Sequence, residues 1–116
     1  MTVVDEKAMY AMLLKRVPAL MRGLHMQKVH CPYKMAAFFA TFTRTLMKSG
    51  YTEAVHACFD TAEELLRRGN QPIRTAIENV YLFSVSQNGY FTRELQDQLP
   101  PLLKWEYLRQ VNASSK

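Results

Sequence analysis

Apolar residues recur every three or four positions along most of this 116-residue chain, a pattern typical of helices that bury one face. The clearest case lies between Pro32 and Gly50. Proline suits the first turn of a helix, and glycine supplies a left-handed stop. The apolar face of this predicted helix is formed by Met35, Phe39, Phe42 and Leu46.

A second helix is predicted from about Thr52, with Gly69 as its stop. Glu63 and Glu64 are expected to face outward. The inward positions at helical spacing are Val55, Cys58, Phe59, Ala62, Leu65 and Leu66.

Asn70 can cap a further helix, with Pro72 in its first turn. Its apolar positions are Ile73, Ala76, Ile77, Val80, Tyr81 and Val85. The stretch "VYLFSV" over 80–85 has almost no polar side, so we expect other helices on more than one of its faces. A buried strand competes there, but the helical period upstream argues against it.

The N-terminal third is less regular. Thr2 and Asp5 resemble a capping box that starts a first helix, and its apolar positions are Val4, Ala8, Ala11, Met12 and Leu14. Pro18 either kinks this helix or begins a short second one. The segment 25–34 is predicted to be an irregular connection, so residues 1–31 form the less regular part of the domain.

The C-terminal part contains a break and two further helices. "QNGY" over 87–90 interrupts the pattern, after which Thr92 is expected to cap a short helix through Leu95 and Leu99. Pro100 and Pro101 open a last helix, whose apolar residues are Leu102, Leu103, Trp105, Leu108 and Val111. Residues 112–116 are expected to fray.

The helices form an internal echo, since "LMKSG" over 46–50 and "LLRRG" over 65–69 are offset by 19 residues. Helices joined by such short loops pack against their neighbours in antiparallel fashion. We therefore predict an all-α fold, either an antiparallel helical bundle or a short HEAT-like helical stack of about five to seven helices, forming one domain over residues 1–116.

Composition and charge indicate a cellular compartment and a class of binding partner. The N-terminus lacks the pattern of a secretory signal and no apolar run could span a membrane, so a cytoplasmic protein is expected. Residues 1–50 carry eight Lys and Arg against two carboxylates, a net charge of +6, whereas residues 51–116 carry −1. The basic half could face an acidic partner or nucleic acid, or be a solvated surface.

Candidate chemistry is sparse. His25, His30 and Cys31 lack the paired spacing of a zinc site, so no metal and no cofactor is expected. Cys58 lies on an apolar stripe, and a disulfide is possible but not implied. His56 is expected to be half-buried or on the surface. Glu78 is the one carboxylate with a candidate perturbed environment, although a polar edge facing solvent is the favoured interpretation. The sequence therefore predicts no catalytic residues and no enzyme.

The stretch "LLRRGNQPIR" over 65–74 has two interpretations. Backbone amides at Gly69 and Asn70, together with Arg67, Arg68 and Arg74, could hold an anion at a helix N-terminus. Arginines in a last turn also complement the helix dipole, and the echo favours a plain helix-to-helix turn. No Walker lysine motif or dinucleotide-binding glycine motif is present.

From about residue 42 to 108 the chain resembles a group of small all-helical bacterial domains of unknown function, several of which are similar to antitoxin or immunity proteins encoded beside secreted toxins. The resemblance rests on the apolar pair before Gly69 and Asn70, the helix start over 73–77, and the entry 99–101 to the last helix. It implies a non-catalytic module that binds a cognate toxin in a one-to-one complex and occludes it.

The expected partner surface is basic, and its candidate residues are Lys34, Arg44, Lys48, Arg67, Arg68, Arg74 and Tyr90. Such binding needs an anchor cluster and complementary charge. The alternative is a nucleic-acid-associated regulator that uses the basic N-terminal half. No membrane partner is expected.

Overall fold

A computed structural model describes residues 3–20 and 31–114 of the chain, apart from the side chain of Ser114. It is all-helical, as the sequence predicts. Six helices lie in these ranges: α1 (Glu6–Arg16), α2 (Pro32–Ser49), α3 (Thr52–Arg68), α4 (Gln71–Ala76, Ile77–Leu82 and Phe83–Ser86 in succession), α5 (Arg93–Asp97) and α6 (Pro101–Ser114). A 3₁₀ turn, Pro18–Leu20, follows α1. The radius of gyration is 13.3 Å, the value expected of a compact domain of this length.

Local sequence explains most helix ends. The Asp5 carboxylate caps α1 by accepting a hydrogen bond from the Ala8 amide at 2.9 Å, whereas Thr2 and residues 21–30 lie outside the described residues. The irregular connection predicted over 25–34 is wrong at 32–34, which form the first turn of α2, because Pro32 suits a helix start. Gly50 ends α2 with a φ of 80°, in the left-handed region that favours glycine. Asn70 caps α4 through its side chain, and Thr92 caps α5 in the same way.

The expected apolar face of α1 is wrong at two positions. In α1 the buried residues are Met9 and Leu13, while Ala11 and Leu14 are exposed. Because buried positions in a helix repeat every three or four residues, the Met9–Leu13 stripe points residues 11 and 14 away from the core.

The core lies where α2, α3 and α4 pack against one another. Phe39 of α2 stacks on Tyr81 of α4 with ring centroids 4.4 Å apart. The Tyr81 hydroxyl lies 3.0 Å from Oγ1 of Thr43, so this buried polar group has a partner. Burial, followed by the charge of Cys58, raises the pKa of Tyr81 well above its usual value.

The middle of α4 is a π-helix over Ile77–Leu82, which the helical pattern alone did not distinguish from α-helix. The expectation that this segment is flanked on several faces is met at Tyr81, Leu82 and Val85, which are buried, but not at Phe83, which is 55% exposed. The competing strand is absent, since the extended pairing within residues 3–20 and 31–114 is a single bridge between Val4 and Gly69.

The C-terminal helices differ from expectation in length and in burial. The short helix α5 ends at Asp97, before Leu99, and α6 continues through Asn112 to Ser114, where a frayed tail was predicted. Leu103 is buried, but most of the predicted apolar positions of α6 are exposed: Leu102, Trp105, Leu108 and Val111. The reason is that α6 packs on α3 and on the middle of α4 with its other side.

No helix in the described ranges combines the length and the hydropathy that crossing a bilayer requires.

Candidate functional site

The exposed side of α2 carries three of the cations that the sequence singled out, Lys34, Arg44 and Lys48. Lys34, Thr41, Arg44, Thr45 and Lys48 are all exposed, and their spacing puts them on one side of the helix. We call these five residues the basic face. It forms because the opposite side of α2, with Met35, Phe39 and Thr43, is buried in the core.

At the C-terminal end of the basic face lies a groove of about 310 Å³. One wall is formed by α2, and the other by the turn that follows α4. We call it the α2 groove, and its lining residues are Thr41, Arg44, Thr45, Lys48, Asn88 and Tyr90.

The turn over 87–90 is held in place by Asn88. Its side-chain amide donates to the Val85 carbonyl at 2.7 Å, and its Oδ1 accepts from the Tyr90 amide at 2.9 Å. Asparagine commonly stabilises turns in this way. As a result Tyr90 lies at the edge of the groove with 48% of its surface exposed.

The α2 groove is lined by cations, hydroxyls and one amide, and by no carboxylate. Nη1 of Arg44 lies 3.5 Å from Oγ of Ser84 on α4. Among the described residues, Arg44 and Lys48 form no ion pair. The groove therefore has an uncompensated positive charge.

The structure thus brings Arg44, Lys48 and Tyr90 together, and it places Lys34 on the same face of α2 near the other end. Sequence reasoning missed Thr41, Thr45 and Asn88. The two threonines share the i, i+4, i+7 spacing with Lys48, so a search for polar residues on that face would have found them.

Arg67 and Arg68 lie elsewhere, at the end of α3, and both are paired with Glu64. Nη1 of Arg68 lies 2.6 Å from Oε2 of Glu64, and Arg67 binds the other carboxylate oxygen. The hydrogen bond from Arg68 is the main cause that lowers the pKa of Glu64. The sequence predicted that Glu64 faces outward, but its carboxylate is instead held by Arg67 and Arg68.

Backbone contacts close the turn between α3 and α4. The Val4 amide donates to the Arg68 carbonyl at 2.8 Å, and the Asn70 amide donates to the Val4 carbonyl at 2.9 Å. The Ile73 amide donates to Oδ1 of Asn70 at 3.1 Å. Because these amides have partners within the chain, they are not free to hold an anion, and the turn acts as a junction between helices.

Arg74 is exposed on α4, on the side that carries Glu78. The pKa of Glu78 is raised by burial and then by the charge of Glu106, while Arg109 and Arg74 oppose that rise. Glu106 of α6 is 3% exposed and accepts hydrogen bonds from Arg109 and Gln110. The sequence favoured a polar edge facing solvent for Glu78, but the side chain is half-buried and its environment is perturbed.

The described ranges contain no cluster of three or more His, Cys, Asp and Glu residues able to hold a metal ion. His25 and His30 lie outside those ranges. Cys31 is exposed and Cys58 is buried, and both are free thiols. His56 is half-buried, and a ring nitrogen contacts Oε1 of Gln98.

A further exposed surface escaped the sequence analysis. Trp105 on α6 is 64% exposed, with Leu102 and Leu108 on the same outer side. The guanidinium carbon of Arg109 lies 5.9 Å from the Trp105 ring centre, within cation–π range. Trp105, Leu102 and Leu108 are among the apolar positions that the sequence predicted for this helix, and the structure leaves them exposed.

The fold defines the class, a compact all-α domain, and its described residues include a basic, hydroxyl-bearing groove. The chain belongs to the family described as "Domain of unknown function (DUF7674)", whose model matches residues 10–113. That match includes most of the N-terminal third, which the resemblance over 42–108 had left out. Comparisons with curated proteins and with solved structures give no match.

Proposed function

We propose that this protein is a non-catalytic binding module that docks its basic face on an acidic surface of a partner protein. The observation that carries the proposal is the convergence of Arg44, Lys48 and Tyr90 around one groove without a carboxylate in its lining. Unpaired cations beside an exposed aromatic ring suit an acidic protein surface, because charge steers the encounter and the ring supplies contact area.

The specific form of the proposal is an immunity protein. It would bind a cognate bacterial toxin in the cytoplasm, in a one-to-one complex, and cover the toxin's active site or substrate entrance. This form rests on the sequence resemblance to domains similar to immunity proteins. Steric occlusion needs affinity and coverage alone, so it requires no reacting group on this chain.

A protein partner is favoured over nucleic acid by how sparse the cations of α2 are. Lys34 and Lys48 are 14 positions apart, or about 21 Å along the helix, with Arg44 as the one cation between them. One strand of a duplex presents a phosphate about every 3.4 Å along its axis. The basic face could therefore neutralise only a few of the phosphates that it would span.

The test is co-expression with the product of the neighbouring gene, followed by co-purification and a binding measurement. We expect a one-to-one complex and restored growth. Reversing two charges of the basic face, in K34E/K48E, should weaken binding about tenfold or more, equivalent to about 1.4 kcal/mol. The effect should shrink as salt rises, since salt screens exposed charges.

The matched control is K7E/K15E on α1. Lys7 and Lys15 are exposed and occupy the first and last turns of their helix, as Lys34 and Lys48 do in α2. Equal losses in both double variants would mean that net charge alone matters and would overturn the proposed interface. The nucleic-acid alternative would be established instead by two results together. The chain would form no protein complex, and it would bind DNA or RNA at low salt in a way that K34E/K48E abolishes.

A further inference from the structure

We propose that the α2 groove is a binding site for a single phosphate group, free or carried as a monoester on a small molecule. This inference goes beyond the proposed function, because it needs no protein partner. It relocates the anion site that the sequence suggested at the turn between α3 and α4, where the backbone amides are occupied.

The groove is lined by side chains that can donate hydrogen bonds. Arg44 presents a guanidinium with five N–H groups, and Lys48 presents an ammonium with three. The hydroxyls of Thr41 and Tyr90 make no hydrogen bonds within the described parts of the chain, and both residues line the same groove. Charged donors form the stronger bonds to phosphate, and the neutral hydroxyls can complete its shell.

The positive charge of the groove also suits a phosphate group. The arginines at two other places are neutralised, Arg68 by Glu64 and Arg109 by Glu106. The α2 groove instead places Arg44 and Lys48 together with no carboxylate in the lining. Two positive charges match a phosphate monoester, which carries about −1.5 to −2 at neutral pH. A single carboxylate would leave one of them uncompensated.

The positions of the donors on both walls of the groove also suit a phosphate group. Donors approach from two sides, because Arg44 and Lys48 project from α2 whereas Tyr90 belongs to the turn after α4. A phosphate monoester has three terminal oxygens that can accept from both sides at once, while a planar carboxylate has two.

The size of the groove limits the ligand. Its volume of about 310 Å³ is at the lower end for small-molecule sites. The next cation on the same face, Lys34, is ten positions from Arg44, about 15 Å along the helix. A second adjacent phosphate would have no cation beside it, which favours a single group over a nucleic-acid backbone.

The test is a titration of the ¹⁵N-labelled full chain with inorganic phosphate, at constant ionic strength maintained with chloride and at pH 7.5. We expect saturable amide shifts confined to the groove residues, with a Kd of about 1 mM or tighter. Phosphoserine forms a second arm, because it reports a monoester, and acetate forms a third, because it reports a carboxylate. Tighter binding of phosphoserine than of phosphate would identify an ester as the ligand.

Two double variants make the test specific. R44Q/K48Q should raise the Kd for phosphate at least tenfold. K15Q/R93Q removes one lysine and one arginine from exposed positions outside the groove, and it should leave the Kd within twofold. Dispersed spectra of both variants would establish that they remain folded.

Several results would overturn the inference: shifts that do not saturate, shifts spread over all basic positions, equal effects of acetate, or equal losses in both variants.

The single variant K34E separates this inference from the proposed function. Lys34 belongs to the basic face but does not line the groove, so K34E should weaken the protein complex and leave phosphate binding intact. If the chain binds phosphate but forms no complex with a partner protein, the proposed function alone is refuted. If it forms the protein complex but does not bind phosphate, this inference alone is refuted.

Discussion

Gly69 shows how much a single residue can decide in this fold. Its φ of −69° is open to any amino acid, so backbone strain does not explain the glycine. A Cβ at this position would lie 2.4 Å from the Leu65 carbonyl oxygen and 2.6 Å from Cγ2 of Ile73. Gly69 also pairs with Val4, so the close approach involves two helices and the N-terminal segment.

We therefore expect Gly69→Ala to lower the free energy of unfolding by about 1–3 kcal/mol, the usual cost of overpacking a tight site. Urea denaturation of the purified variant is the measurement. Gly89→Ala is the control, because a Cβ at Gly89 would meet nothing within 4 Å, and its midpoint should stay near that of the parent. Equal midpoints for the two variants would contradict the packing account.

Sequence reasoning treated Gly50 and Gly69 as equivalent because both follow the same local pattern. Gly50 needs glycine for its φ of 80°, whereas Gly69 needs it for space. A local pattern can place a glycine at a helix end, but only the packing of distant residues shows which property of glycine is used.

At the scale of elements, α6 depends on a cap that comes from another helix. Pro101 has no amide hydrogen, and Pro100 before it has no side-chain acceptor. The first free amides, those of Leu102 and Leu103, donate to the carboxylate of Glu63 on α3 at 3.0 and 2.9 Å. Glu63 therefore joins α3 to α6, which corrects the expectation that it faces outward.

Replacing Glu63 with alanine should cost about 1–2 kcal/mol, the range of a lost helix cap. Thermal unfolding gives the size of the effect, and hydrogen exchange should show the loss of protection concentrated in the first turns of α6. Asp60→Ala is the control on the same helix, since Asp60 is exposed and contributes no hydrogen bond to the α6 cap. Unchanged exchange in α6 of the Glu63 variant would show that the cap is not stabilising.

At the scale of the whole molecule, two carboxylates give opposite pH dependences. Burial, aided by Glu106, raises the pKa of Glu78 in the folded state, so its ionisation disfavours the fold as pH rises through the carboxylate range. The hydrogen bond from Arg68 lowers the pKa of Glu64, so its contribution is present above the ordinary value of 4.5 and is lost on acidification.

Glu78→Gln should therefore raise the free energy of unfolding at pH 7, and the gain should fade as the pH is lowered and Glu78 of the parent protein becomes protonated. Glu64→Gln should lower stability at pH 7, with a difference that also fades in acid. Denaturation midpoints measured across the acid to neutral range test both signs. A Glu78→Gln variant less stable than the parent at pH 7 would contradict the conclusion that burial and the charge of Glu106 disfavour ionised Glu78.

The candidate site was accessible to sequence reasoning only in part. Lys34, Arg44 and Lys48 could be placed on one helix, because the period of α2 is plain in the chain. Tyr90 lies more than 40 residues further on, and its arrival beside Lys48 depends on how α4 packs against α2. Arg67 and Arg68 were chosen for the same charge, yet Glu64 one turn earlier already pairs with both.

Local patterns along the chain were sufficient to predict the class of fold and most helix boundaries, because proline, glycine and capping residues act over three or four positions and the apolar period indicates which side is buried. Tertiary structure alone decided that Glu63 caps α6, that Ile77–Leu82 forms a π-helix, and that Trp105 remains exposed. It also decided that the α2 groove exists. These features depend on which distant surfaces meet, and short-range spacing along a chain contains no such information.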